Sequence, residues 1–284
     1  MPGKEPVTKL DDLFLQGRVV VISTHLDDAA LSVGATIARV ASAGGEVSVL
    51  TVLAGDPESS SPAGLWDETC GFRTEGEAAR ERRLEDLRGC ELVGARPVWL
   101  PFPDEQYERS ASDEEVWAAI EPQLEGARLV LIPGYPLHHS DHLWLTELVL
   151  SRLDPSTCAG LYVEEFYTSD LAIGHSNSLK TFVKAAGVTA HTRFGCRIQP
   201  PPISPAIEQL AARPLEWIAV RPNRRERRLK LAFARAYPSQ LDALGDRLTR
   251  RIWLYERASG GELVGLVRRS QKIVGAAYNL RQTN

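Results

Sequence analysis

Apolar and polar positions in the first half of this chain switch repeatedly between two periods. Residues 18–24 (RVVVIST) form a β-branched run too short for a helix, and its unbroken apolar character is that of a strand buried on both faces. From residue 27 to 43 the apolar positions Val33, Ile37, Val40 and Ala41 recur at helical spacing, and Gly44-Gly45 ends the helix they predict. Residues 46–54 (EVSVLTVLA) predict a second strand. Further strands are expected around 97–102, 128–133 and 161–166, with helices over 75–93, 113–124 and from Asp141 onward. Strand and helix alternate without a fixed repeat. The pattern predicts an α/β fold, a Rossmann-like, doubly wound and mostly parallel sheet with helices on both faces and right-handed crossovers.

Beyond Tyr167 the pattern weakens. Gln199-Pro200-Pro201-Pro202 reads as a stiff connector. A basic helix is expected over 224–236, with Leu229, Phe233 and Ala236 on one face, while residues 251–255 (RIWLY) read as strand. The expected organisation is a core over 1–198 and a smaller C-terminal lobe over 199–284, packed on the core as one domain.

Composition narrows the function classes. The 284 residues are 43% hydrophobic and 25% charged, with a formal net charge of -4, an ordinary soluble balance without the basic excess of a nucleic-acid binder. No apolar run is long enough to cross a bilayer, and no apolar stretch follows Met1-Pro2-Gly3-Lys4 to make a secretory signal. Cys70, Cys90, Cys158 and Cys196 are scattered without a Cys-x-x-Cys pair, which is the pattern of buried free thiols in a cytoplasmic protein.

Two polar clusters carry candidate chemistry. His25-Leu26-Asp27-Asp28 follows the first expected strand directly, and His138-His139-Ser140-Asp141-His142 follows the fourth. In a sheet of order 3-2-1-4-5 those two strands are neighbours, and the order reverses between them. Ligands bind in that crevice, beyond the carboxyl ends of the strands. Two histidines and a carboxylate suit a catalytic zinc, which keeps one position open, although iron, manganese or cobalt accept the same set. His25 and Asp28 stand three apart at a strand-to-helix turn, and His142 completes the set. Each residue alone has a plainer reading: Asp27, Asp28 or Asp141 as a helix N-cap, His138-His139 as a solvated loop. Their joint arrival at one switch point favours a site.

These motifs resemble the LmbE-like deacetylases, the family of the N-acetylglucosaminyl-phosphatidylinositol de-N-acetylases (PIG-L). That family carries Ala-His-Pro-Asp-Asp-Glu after its first strand and His-Pro-Asp-His after a later one. The counterparts here are Thr24-His25-Leu26-Asp27-Asp28-Ala29 and His139-Ser140-Asp141-His142. Residues 31–38, Arg82-Arg83-Leu84-Glu85, Asp104 and residues 230–240 (KLAFARAYPSQ) are similar to further family segments. The resemblance implies Zn2+ (or another divalent transition metal) held by His25, Asp28 and His142. It implies Asp27 as general base, His139 as oxyanion stabiliser and Asp141 as the residue that orients His139. Arg82, Asp104 and Tyr135 are the implied substrate contacts. Tyr135 is named because the family's tyrosine position is Leu137 here. Leu26 and Ser140 replace prolines and Ala29 replaces a glutamate, so a carboxylate of the family's site is missing or moved.

The implied function is removal of an N-acetyl or other N-acyl group from an amino sugar or sugar-bearing natural product, with a small-molecule partner and neither nucleic acid nor membrane. Alternatives are an amidase of a larger amino-sugar conjugate and a catalytically silent sugar-binding protein of the same fold. Residues 55–71, rich in Gly, Pro and Ser, are a candidate flap and the place for any acyl channel. Trp66 and Phe72 there suit sugar stacking or simple anchoring. The helix around Arg82 and the basic run 221–230 each read either as ligand contacts or as solvated faces.

Overall fold

A computed structural model of the chain describes residues 17–154, 156–167, 188–192, 195–198, 215–245 and 248–267. The strands are β1 (Arg18–Ser23), β2 (Glu46–Thr51), β3 (Arg96–Trp99), β4 (Ala127–Tyr135), β5 (Ala159–Val163), β6 (Val188–Thr192), β7 (Gly195–Ile198), β8 (Leu215–Val220) and β9 (Glu262–Val267). The helices are α1 (Asp28–Ser42), α2 (Leu65–Thr69), α3 (Glu75–Val93), α4 (Asp113–Ile120), α5 (Ser140–Arg152), α6 (Arg224–Ala234), α7 (Pro238–Leu244) and α8 (Leu248–Ser259). Seven strands form one sheet in the order β3-β2-β1-β4-β5-β9-β8. The first five are mutually parallel, and β9 and β8 close the edge antiparallel. The doubly wound sheet predicted from the strand–helix alternation is the one observed.

β1 shows why the central strands read as continuous apolar runs. Val19 and Val21 face one core with α1 and α6, while Val20 and Ile22 face a second core with α4 and α5. Both faces are covered, so period-two alternation disappears. α3 starts at a Thr74 cap that accepts the Glu77 N–H and stops at Gly94, whose positive φ of 75° suits a residue without Cβ.

The C-terminal residues differ from their expected form. Residues 251–255 are helical, inside α8, because Ile252, Tyr255 and Ser259 recur at three and four and turn one buried face inward. The expected lobe is, in its described part, continuous with the core: β8 and β9 extend the main sheet and α6 packs on α1 and α3. The connector at 199–202 lies outside the described residues. Among the described residues no helix is long and apolar enough to cross a membrane.

α1 is two helical segments joined at Val33, whose backbone (φ -126°, ψ 22°) breaks the ladder. Glu262 of β9 receives the freed donors: the Ala35 and Thr36 N–H groups at 2.8 and 2.7 Å and the Thr36 hydroxyl at 2.5 Å. The same carboxylate meets the Lys230 ammonium at 2.8 Å, as do Glu165 (2.5 Å) and Glu256 (2.8 Å). Lys230 is buried, so the basic run 221–230 is not simply a solvated face.

Candidate active site

β1 and β4 are adjacent and parallel, with Val21 opposite Leu131, so their carboxyl ends bring the two polar clusters together. Between Ser23 and α1 the chain makes a tight turn. Ser23 Oγ donates to the His25 carbonyl (2.8 Å) and accepts from the Ala29 N–H (3.1 Å), and the His25 N–H donates to Asp28 Oδ2 (2.8 Å). Asp27 occupies the N-cap position at a φ of 156°, a region non-glycine residues rarely adopt. Its carboxylate makes no capping bond. The plain helix-cap reading of Asp27 therefore fails, and a partly buried carboxylate is left for other work.

Three donor atoms converge. His25 Nδ1 and His142 Nε2 are 3.1 Å apart, and Asp28 Oδ2 lies 3.4 Å from the first and 3.3 Å from the second. Two ligands about 2.1 Å from one tetrahedral ion stand about 3.4 Å from each other. The spacing is thus that of three ligands around a divalent ion. The far side of each imidazole agrees. His142 Nδ1 bonds Glu164 Oε1, and His25 Nε2 lies 3.3 Å from Asp141 Oδ2, so each ring carries its proton outward and turns a lone pair to the shared point.

The electrostatics fit a cation. Burial works against charge on His25, yet Asp141 and Asp28 outweigh it and hold the imidazole up at about 10. Burial likewise opposes charge on His142, but Asp28 and Glu164 raise its pKa. Asp28 is held below the usual carboxylate range, because His142 and His25 overcome the burial that would raise it. Asp27 behaves oppositely: burial and the neighbouring Asp28 charge lift it to about 7.

His139, Asp141 and the outer residues differ in part from the expected roles. Asp141 meets the His139 ring through its backbone N–H, and its carboxylate has further partners. Its Oδ2 faces His25 and accepts the Glu105 N–H (2.9 Å), and its Oδ1 accepts from Arg109 (2.6 Å). His139 instead caps α5, its Nδ1 accepting the Asp141 N–H at 3.3 Å, while Nε2 lies 3.3 Å from Glu105 Oε1. The carboxylates of Glu105 and Asp141 and a nitrogen of His139 also lie within 4.8 Å of one another. Burial and the charges on His25 and His142 lower the His139 pKa, and because Nδ1 accepts the Asp141 N–H, the proton of the neutral ring sits on Nε2. The nitrogens of His25, His139 and His142 also lie within 4.8 Å of one another. Asp28 is the better third ligand, because both His139 nitrogens already have partners.

Arg82 is buried and pairs with Asp67 at 3.5 Å, which overturns the solvated-face reading of its helix. Arg82 and Asp104 line a cavity of about 20 Å³ with Asp67, Tyr107, Leu26 and Gly55. Tyr135 ends β4, buried, and the aromatic ring against the histidines belongs to Tyr167, with centroids 5.3 Å from His142 and 6.4 Å from His139. The loop 55–71 is tied down. Gln106 Oε1 accepts the Trp66 and Asp67 N–H groups, Tyr107 bonds Gly64 and Asp67, and the Trp66 indole donates to Gln240. Trp66 is an anchor. Glu164, Arg109, Glu105 and Tyr167 escaped the sequence reading. Glu164 had one signal: a Glu-Glu pair directly after a strand, at the sheet edge where both motifs end. Among the described residues Cys70, Cys90 and Cys158 form no disulfide, and of these Cys90 is the buried one.

Comparison with known proteins follows the same lines. No curated protein sequence matches the chain significantly. Among solved structures, the A40926 pseudoaglycone deacetylase Dbv21 superposes with a TM-score of 0.65 at 23% identity, over 90% of this chain and 99% of that one. The zinc-inhibited form of the teicoplanin deacetylase Orf2 gives 0.65 at 20% identity, over 90% and 99%. A deacetylase–teicoplanin complex gives 0.61 at 21%, over 89% and 99%. At these identities the likeness establishes the fold. The family model of the GlcNAc-PI de-N-acetylases matches residues 20–153, from β1 to the end of α5, a span that holds both motifs. Through this motif-bearing segment the chain is similar to the GlcNAc-PI de-N-acetylase (PIG-L) family.

Proposed function

We propose that this chain is a zinc-dependent deacetylase that removes an N-acetyl group from an amino sugar carried on a soluble, sugar-bearing natural product. The observation that carries it is the convergence of His25 Nδ1, Asp28 Oδ2 and His142 Nε2 at 3.1–3.4 Å beside an uncapped Asp27. A silent binding protein has no use for that carboxylate. When bound between those three atoms, zinc polarises a carbonyl and acidifies a water. Asp27 then takes a proton from the attacking water and passes it to the amine nitrogen as the C–N bond breaks, giving acetate and the free amine. His139 donates its Nε2–H to the carbonyl oxygen as negative charge gathers there, an interaction worth about 3–4 kcal/mol when one such donor is lost. Substrate displaces Glu105 from that nitrogen. Asp141 holds His25, and Arg82 and Asp104 line the small cavity on the acyl side.

An acetyl group suits the site better than a longer acyl chain. The cavity between the 55–71 loop and α3 has room for about one water. The A40926 pseudoaglycone and the teicoplanin named for the neighbouring structures support a natural-product compound. The free thiols support a reducing compartment, the cytoplasm. The test is a deacetylation assay on N-acetylglucosaminyl compounds, with metal content measured beside it. About one zinc per chain and released acetate are expected, and both are lost in His142→Ala. Metal bound at full occupancy with no amide cleavage across the substrate panel would leave a binding protein.

A further inference from the structure

Basic residues in this acidic chain are concentrated in one stretch. Residues 221–257 hold eleven Arg and Lys against four Asp and Glu, in a chain with 33 and 37 overall. Two of those acids are committed internally: Glu226 to Arg39 at 2.9 Å and Glu256 to Lys230 at 2.8 Å. The charge left over gathers around a cleft of about 310 Å³ between α6 and α8, lined by Arg221, Arg227, Arg257, Trp253 and Glu256. That volume is at the lower end of small-molecule sites.

Two details point to a ligand. Arg227 Nε is buried without a hydrogen-bond partner; Glu256 Oε2, its nearest carboxylate oxygen, stands 3.9 Å away. The Arg227 charge beside the cleft is thus only loosely neutralised by Glu256, which favours an anion there. The Arg257 guanidinium lies 5.4 Å over the Trp253 ring, which is 37% exposed and available for stacking. Three guanidinium forks around one cleft match several anionic oxygens, as a diphosphate offers; a lone carboxylate engages one fork.

We propose that the cleft between α6 and α8 binds a phosphorylated small molecule with a flat ring, of the nucleoside-diphosphate class, its phosphates on Arg221, Arg227 and Arg257 and its ring on Trp253. The site is separate from the metal centre and does not depend on the deacetylase reading.

Isothermal titration of the zinc-loaded full chain with ADP, pyrophosphate and adenosine tests it. ADP and pyrophosphate bind, and adenosine alone binds far more weakly. Arg221→Ala/Arg257→Ala weakens ADP at least about tenfold, and Trp253→Ala weakens ADP while sparing pyrophosphate. Both arginines are exposed, so the fold survives; the double Gln variant gives the same loss with less change in bulk. Three outcomes overturn the proposal: no binding at millimolar ADP, affinity unchanged in the arginine variants but lost in His142→Ala, or binding of anionic vesicles that ADP does not compete.

Discussion

Arg109 has no part in the chemistry, yet one contact places it two steps from the ion. It stacks 3.8 Å over the Trp144 ring and donates to Asp141, which faces His25. Partners at this remove typically contribute 10–100-fold in metal affinity. Arg109→Ala is expected to weaken zinc by about that factor in a chelator competition, and Arg109→Lys restores only part, because an ammonium lacks the planar stack and the fork. An unchanged affinity would show that Asp141 holds His25 unaided. Asp27→Asn separates chemistry from binding: zinc stays, and kcat falls by about 10²–10⁴. A base must be ionised, so wild-type activity rises with pH through the Asp27 pKa. A nearby cation lowers that pKa from about 7, and the acid limb therefore lies below 7. A limb that persists in Asp27→Asn would assign it to another group. The convergence of His25, Asp28 and His142 was legible because motif residues sit at strand ends. The partner of Asp141 was not, since it depends on how the loop after β3 folds over α5.

Among the elements, α1 holds the clearest departure from sequence expectation. Its apolar spacing is helical throughout, and only the flanking Ser32 and Gly34 mark the break at Val33. The break is sustained by Glu262, more than two hundred residues away, which takes up the freed N–H groups. Residues 251–255 misled in the other direction: β-branched and aromatic residues suggested a strand, and the inward face of α8 won. Lys230 joins these elements, buried against Glu165, Glu256 and Glu262. Lys230→Met leaves three carboxylates without their cation, and breaking a buried pair this way costs about 3–5 kcal/mol. Urea unfolding at neutral pH should show that loss. Glu165 is already pushed well above the usual carboxylate range, chiefly by burial. Carboxylates raised in the fold favour the native state at low pH and oppose it as pH rises towards their folded pKa. The deficit of Lys230→Met is therefore smaller at pH 5 than at pH 8. A deficit independent of pH would mean that lost packing, not uncompensated charge, is the cause.

At the scale of the whole molecule, the site exists only because β1 and β4 lie side by side, and an ion held there as proposed would be coupled to folding. The strand order was legible from alternation alone, and with it the meeting of motifs more than a hundred residues apart. An ion that binds only the native state adds RT ln(1 + [L]/Kd), about 4 kcal/mol at a thousandfold excess over Kd. For a chain of this size that is a rise in Tm of about 10 °C. Chelation should remove the rise, zinc should restore it, and His142→Ala should show neither. The pH dependence is more telling. Without the ion, His25 has a folded pKa of about 10, well above its value in an unfolded chain, about 6.5. Its contribution is fully present below pH 6.5 and fades as pH climbs towards 10. In the loaded protein the ion, not a proton, sits against that nitrogen, and its affinity improves as protons leave. The gap between loaded and stripped Tm should therefore widen steadily from pH 6 to pH 9. A gap that narrowed over this range would mean that proton and ion do not compete for His25, and that the ion is held elsewhere.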